Sequence, residues 1–333
     1  VYLNLALSQI IESQTPDIIH CNDLDTLIAG LIVKTRLSIP LIYDAHEIYP
    51  EQFEHAAQLV SEIHSQKVPM EYQLNVEKVT VEEIITFTAS YESLNTNYAI
   101  REYLDSLGLN TSMDFLLLLG DETHIPPIIN PSPSYPSDDF YTSATPLTGN
   151  PQLSTGRIPI NTSESAIIIA NKIRDYMLNP AEGDWRSTMM LIADDEHKEG
   201  AFNYSELSHT TNSDKIYDIL KEKLYIHQIY GPEYDPINGP TGLLHLDMNT
   251  DFIELINSGV SILNYIGHGS ATTLSDEKII DMERDMGSIC PPGTECYDNR
   301  KQPIWVVGTC SFGAYDQSNS MTEELLISEF GAI

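Results

Sequence analysis

Basic residues are scarce in this chain. Its 333 residues include 17 Lys and Arg against 49 Asp and Glu, a formal net charge of −32. A surface this acidic repels nucleic acid and anionic membranes, which argues against functions that rest on a positive patch. It suits a saline or cation-rich exterior and by itself identifies no partner. Long apolar runs are also missing, and no uninterrupted hydrophobic segment is long enough to span a bilayer. Cysteine occurs at only four positions, Cys21, Cys290, Cys296 and Cys310. No CxxC pair exists and no other Cys or His lies near at zinc spacing, so a structural zinc site is not indicated. Neither a solenoid period nor a low-complexity tract is present. No secretory signal is visible. The chain opens at Val1 and stops at Ile333 within sequence that reads as structured, so it is expected to be a fragment and the missing signal says little.

What is present is enough hydrophobic sequence, 41% of the residues, to build a substantial core in two domains or one large one. Cys290 and Cys296 bracket the turn-rich loop CPPGTEC. They can close a small disulfide in an oxidising compartment or remain two reduced loop thiols.

Two stretches organise the rest. Ser261–Ser270 reads SILNYIGHGS and Pro303–Gly313 reads PIWVVGTCSFG. Each is a short apolar run that stops in small residues and one reactive side chain, His268 in the first and Cys310 in the second. Val260–Leu263 and Ile304–Val307 are continuously apolar and read as strands buried on both faces. Ligands collect at the carboxyl ends of such strands in open α/β sheets. If the strands are parallel neighbours, imidazole and thiol emerge side by side on one rim, and the connection between them is long enough for a crossover. A nearby imidazole can take the proton of a thiol or stabilise the thiolate. The glycine after His268 lets a peptide backbone approach, and the amides of Gly269 and Cys310 can point at a developing oxyanion. The alternative is a buried structural cysteine and a loop histidine that never meet.

Hydrophobic block, His-Gly, spacer, hydrophobic block and Cys is a pattern that resembles the caspase-like cysteine peptidases. The wording NYIGHGS followed by TCSFGAYD is similar to the gingipain branch, including the sortase-like peptidase of type IX secretion. The resemblance runs from about Phe53 to the end, through VEEI at Val81, AIREYL at Ala99, FLLLLGDE at Phe115, SDDFY at Ser137, STGRIPI at Ser154 and LIADDE at Leu191. It implies an α/β fold with a mostly parallel sheet flanked by helices. It also implies a cysteine endopeptidase acting on protein or peptide substrates at the cell surface or outside the cell, with no cofactor needed for the chemistry. In that family an acidic residue four positions before the Gly of the Gly-Arg step orients the histidine. Counting back from Gly156 reaches Gln152, a departure from the pattern. An amide can still accept a hydrogen bond from the ring, and Asp138 and Asp139 are the nearest acidic alternatives. The family also carries structural calcium. Asp121, Asp194, Asp195 and Glu196 are acidic loop residues after strands that can supply oxygen ligands, or are simply solvated.

Residues 1–52 look different. Helical stretches at Leu3–Ile11 and Asp25–Thr35 alternate with strands at PDIIH and Ile39–Asp44. This partial Rossmann-like βαβ passage resembles the acceptor-side domain of GT-B glycosyltransferases, which would place His20, Asp23, His46 and Glu47 at a cleft. No donor-binding domain follows, so a glycosyltransferase is the third reading, behind the peptidase and a non-catalytic scaffold that keeps the peptidase fold.

From Phe53 a first subdomain is expected to about residue 180 and a catalytic subdomain over 181–333. The first contains a helix at Glu54–Gln66 with Ala57, Val60 and Ile63 inward, a strand at Tyr72–Val79 and a helix at Ala99–Ser106. A central strand at Phe115–Leu119, a proline-rich extended loop at Pro126–Pro136, a strand at Ser154–Ile160 and a helix at Ser163–Leu178 follow. Pro180 and Gly183 break the pattern. The second subdomain is expected to run strand Thr188–Ala193, helix Lys215–Leu224, strand Ile226–Tyr230, a loop with three prolines and helix Thr250–Ser258 into the histidine strand.

Overall fold

The computed structural model describes residues 19–21, 41–43, 49–89, 95–108, 113–131, 134–145, 150–194, 207–240, 242–298, 301–316, 320–328 and 331–332. The chain divides into two compact units, Val1–Ala56 and Ala57–Ile333. In the first, β1 (Ile19–Cys21) and β2 (Leu41–Tyr43) pair in parallel with Ile19 opposite Leu41, as the βαβ pattern requires. His20 sits on β1. The helices expected at Leu3–Ile11 and Asp25–Thr35, and Asp23, His46 and Glu47, lie outside the described residues. Helix α1 (Tyr49–Glu62) runs through the boundary expected after Gln52 and continues as a wider turn at Ile63–Lys67. Its inward stripe is Ala56, Val60 and Ile63, with Ala57 half-buried.

In the second unit, α2 (Val81–Thr88) starts on a reciprocal cap. The Thr80 hydroxyl accepts from the Glu83 amide at 3.2 Å and the Glu83 carboxylate accepts from the Thr80 amide at 2.8 Å. Helix α3 (Thr96–Leu107) stops where Gly108 turns left-handed, φ 79°. Ile84, Ala99, Ile100 and Leu104 pack with Leu118, Phe140, Tyr141 and Leu153 into one apolar cluster. Leu118 comes from β3 (Phe115–Leu119), which pairs in parallel with β6 (Ser154–Ile158). Among the described residues these two strands form a sheet of their own, and Phe115 and Leu117 are exposed, so β3 is not the central strand its composition suggests.

Two further expectations are corrected here. Residues 73–80 take no regular structure although their pattern alternates, and among the described residues no strand pairs with them. The proline-rich stretch is not merely an extended loop. β4 (Ile128–Pro131) and β5 (Ser134–Ser137) form an antiparallel hairpin, with Ile129 opposite Pro136. A two-stranded ribbon has only edges, where proline costs no ladder bond.

Helix α4 (Ser163–Leu178) is capped by Thr162, whose hydroxyl accepts from the Ser165 amide at 3.1 Å. After it, one sheet dominates. β7 (Thr188–Ala193), β8 (Tyr225–Tyr230), β11 (Ile262–Ile266) and β14 (Ile304–Gly308) are all parallel, in the order β14-β11-β7-β8. Helix α5 (Ser208–Leu220) links β7 to β8. The hairpin of β9 (Ile237–Gly239) and β10 (Gly242–Leu244) and helix α6 (Leu246–Ser258) lead to β11. A short ladder of β12 (Thr273–Leu274) with β13 (Ile280–Asp281) precedes β14, and α7 (Met321–Ile327) follows it. Met190, Ile192, Leu263 and Tyr265 face one side and pack with Met248, Phe252 and Ile256 of α6. Met189, Leu191 and Ala193 face the other, against Ile216, Tyr217 and Leu220 of α5. Full burial of each such aliphatic or aromatic side chain contributes roughly 1.5–3 kcal/mol, as an upper bound, so these two layers fix the sheet.

β14 departs from the both-faces-buried expectation. Ile304 and Val306 are 42% and 51% exposed. The strand lies at the edge of the sheet, and α5 packs mainly on β7 and β11. The result is a mixed α/β fold with a mostly parallel sheet flanked by helices, the class the sequence indicates.

Candidate active site

The carboxyl ends of β7, β11 and β14 meet at one rim. Ile266 pairs with Ala193 and with Gly308, so the three strands end in register. His268 and Cys310 each stand two residues past that level. The Gly267 amide donates to the Gly308 carbonyl at 3.2 Å, which extends the ladder into the loops. Gly269 lies so close to the loop that carries Cys310 that a Cβ on it would fall 2.8 Å from the Thr309 Oγ1. Cys310 is an exposed free thiol. Within the described residues, the backbone amides of Gly269 and Cys310 donate to no other group.

The backbone of His268 is held on both sides. Its amide donates to Asp194 Oδ2 at 3.0 Å, and its carbonyl accepts from the Tyr265 hydroxyl and from the Ser275 amide at 2.8 Å. Asp194 is itself buried at the end of β7, and its amide donates to the Ile266 carbonyl at 3.1 Å. Burial first, and then the Asp194 carboxylate, push the Tyr265 hydroxyl well above its ordinary pKa, so it stays a donor. The His268 ring meets the ring of His209, centroids 5.4 Å apart and planes at 81°.

The other candidates fall elsewhere. Gln152 is exposed and its side chain donates to the Asn150 carbonyl at 3.0 Å, not to or from His268. Asp138 holds Arg157 through two bonds of 2.7 Å, and Asp139 is exposed. Asp121 Oδ1 accepts from the Thr123 amide and hydroxyl and from the His124 amide and ring. Burial alone would raise this carboxyl, but those bonds bring it below its ordinary value. Asp121 and Asp194 each hold a neighbouring loop through one carboxylate oxygen. Asp195 and Glu196 lie outside the described residues, among which no group of three or more His, Cys, Asp or Glu is placed to hold a metal. Between β13 and β14, Cys290 and Cys296 are joined as a disulfide and are fully buried.

The sequence matches the description of peptidase family C25 over residues 43–333. The chain belongs to that family. Family C25 is the gingipain family of cysteine peptidases, and its match begins earlier than Phe53, taking in residues 43–52 of the segment that resembles a glycosyltransferase. Among solved structures, the complex of Porphyromonas gingivalis RgpB pro- and mature domains is similar, with TM-score 0.60 at 18% identity. The similarity covers 94% of this chain and 60% of that one. The Arg-specific cysteine proteinase gingipain R gives 0.53 at 16% identity, over 94% and 59%. A structure described as a protease gives 0.52 at 17% identity, over 95% and 57%. At these identities the likeness shows the fold. No curated protein matches the sequence.

Sequence reasoning missed His209 and the task of Asp194. The signal for Asp194 was its place, since an acid directly after a strand neighbouring the histidine strand can reach the histidine loop. His209 carries no such signal, because the pattern indicates a helix only over Lys215–Leu224, whereas α5 begins at Ser208.

Proposed function

We propose that this member of family C25 hydrolyses peptide bonds through Cys310, with His268 moving the proton. The observation that carries this is the shared register of β11 and β14, which sets both side chains two residues beyond one paired level beside two undonated amides. In the reaction the thiol proton passes to the imidazole and the sulfur attacks the scissile carbonyl carbon. The carbonyl pair moves onto oxygen, which the amides of Gly269 and Cys310 stabilise. Collapse expels the amine, which takes the proton from His268, and leaves a thioester. Water then attacks that thioester, giving its proton to His268, and the acid product leaves as the thiol is restored. Substrates are proteins or peptides. The buried Cys290–Cys296 disulfide supports a site outside the cytoplasm, on or beyond the cell surface. A link to type IX secretion rests on the wording of the two motifs. The family resemblance also implies structural calcium, for which acidic loop residues would supply the oxygen ligands.

One observation favours a second reading, a scaffold that keeps the fold without activity: Gln152 stands at the expected acidic position and turns to Asn150. A thiol-directed probe separates the two. Stoichiometric labelling of Cys310 that disappears in His268→Ala, with peptide hydrolysis lost in Cys310→Ala, is the expected result. Hydrolysis at the parent rate in Cys310→Ala would overturn the mechanism, and the thermal midpoint of that variant should stay near the parent because the side chain is exposed.

A further inference from the structure

We propose that His209 is a positioning residue that holds the plane of the His268 imidazole through an edge-to-face ring contact. The inference rests on the peptidase reading and deepens it by naming what orients the ring. A base that must face a thiol needs one rotamer, and side chains near a catalytic histidine normally supply it through a hydrogen bond. Here the groups expected to do so are bonded elsewhere or exposed. Gln152 is bonded to Asn150, Asp138 to Arg157, and Asp139 is exposed. Asp194 is close, yet its Oδ2 takes the backbone amide of His268. Within the described residues the His268 ring makes no hydrogen bond, so the backbone is pinned and the side-chain torsions are not.

His209 meets that ring at 5.4 Å with the planes at 81°, a T-shaped pair. Edge-to-face rings attract through their quadrupoles, and a contact of this kind favours one rotamer by roughly two- to tenfold. The ring is presented from a rigid base. It sits in the first turn of α5, and that helix packs Ile216, Tyr217 and Leu220 onto β7. β7 is also the strand that ends in Asp194, so one strand-helix pair fixes the His268 backbone at its strand end and the His268 ring at its helix start.

The test compares the parent with His209→Ala, His209→Phe and His209→Gln. It reads kcat and KM on one peptide, the rate of Cys310 alkylation by iodoacetamide, and the urea midpoint. His209→Ala and His209→Gln should lower kcat and slow alkylation by about two- to tenfold with KM changed less than about twofold. His209→Phe should restore both rates, because it keeps a ring without a titrating nitrogen. An alanine or glutamine variant at the parent rate, or a phenylalanine variant as slow as alanine, would overturn the inference. If the alanine form loses stability, the glutamine and phenylalanine forms decide it by the same criterion. Alkylation that does not depend on His268 at all sinks the peptidase reading itself. Dependence on His268 without dependence on His209 sinks only the positioning role.

Discussion

The guanidinium of Arg157 lies over the ring of Tyr315, 4.6 Å from its centroid. Arg157 belongs to the Gly-Arg step of β6, and Tyr315 follows Cys310 by five residues. The same guanidinium donates to both oxygens of Asp138 and to the carbonyls of Gly120, Asp121 and Ile125. The turn that carries the thiol therefore rests on a buried cation fixed by the smaller sheet. Burial would lower the pKa of Arg157, but the Asp138 bonds raise it, so the cation is permanent.

Removing that cation takes the guanidinium from Asp138 and leaves the Gly120 and Ile125 carbonyls without their donor, while the Asp121 carbonyl keeps the Ile125 amide at 2.9 Å. Arg157→Ala should cost about 3–5 kcal/mol in urea unfolding, the range for one lost partner of a buried pair. Tyr315→Leu, which loses the ring contact and the hydroxyl beside Asp138 but keeps the cation, should cost about 1 kcal/mol and alter the alkylation rate of Cys310. Equal small losses in both would show that the network does not anchor the thiol loop.

The two glycines around His268 differ in what surrounds them. A Cβ at Gly267 would collide with the Asp194 Cβ and the Tyr265 hydroxyl, both buried, whereas at Gly269 it meets Thr309 and the Thr273 carbonyl. Gly267→Ala should destabilise by about 1–3 kcal/mol and Gly269→Ala by less, with peptide hydrolysis reduced in both. Gly287→Ala is the control, since its Cβ meets nothing within 4 Å and should change stability by less than about 0.5 kcal/mol. Thermal unfolding of the three variants checks the order.

At Gln152 the expectation is silence. A carboxylate that touched the ring would stabilise imidazolium and shift the acidic limb of the rate profile. Because Gln152 turns to Asn150, kcat/KM against pH for the parent, Gln152→Glu and Gln152→Ala should superimpose within about a factor of two. A shifted acidic limb in Gln152→Glu would restore this residue as the orienting group.

Lys172 on α4 reaches the end of α7, where its ammonium donates to the carbonyls of Leu325, Leu326 and Ser328 at 2.9–3.0 Å. Burial lowers its pKa from 10.5 to about 7. Between those values the native chain binds fewer protons than the unfolded chain, so stability should rise with pH across that window. The difference in urea stability between the parent and Lys172→Met should therefore grow by roughly 1 kcal/mol or more from pH 7 to 10. A constant difference would mean that the three carbonyls keep the ammonium charged throughout.

Periodicity and local chemistry determined much of this protein without help. Thr188–Ala193 and Ser163–Leu178 appear as strand and helix with the bounds their patterns dictate, because an apolar run and a Thr cap act within a few residues. The strands that precede His268 and Cys310 were legible for the same reason, each being an apolar run. Only the tertiary structure decided what depends on neighbours. The exposure of Val306 follows from the edge place of β14, and Tyr72–Val79 forms no strand where none of the described residues pairs with it. The turning of Gln152 toward Asn150, and the meeting of His209 with His268, are set by packing between segments far apart in the chain, which no local pattern encodes.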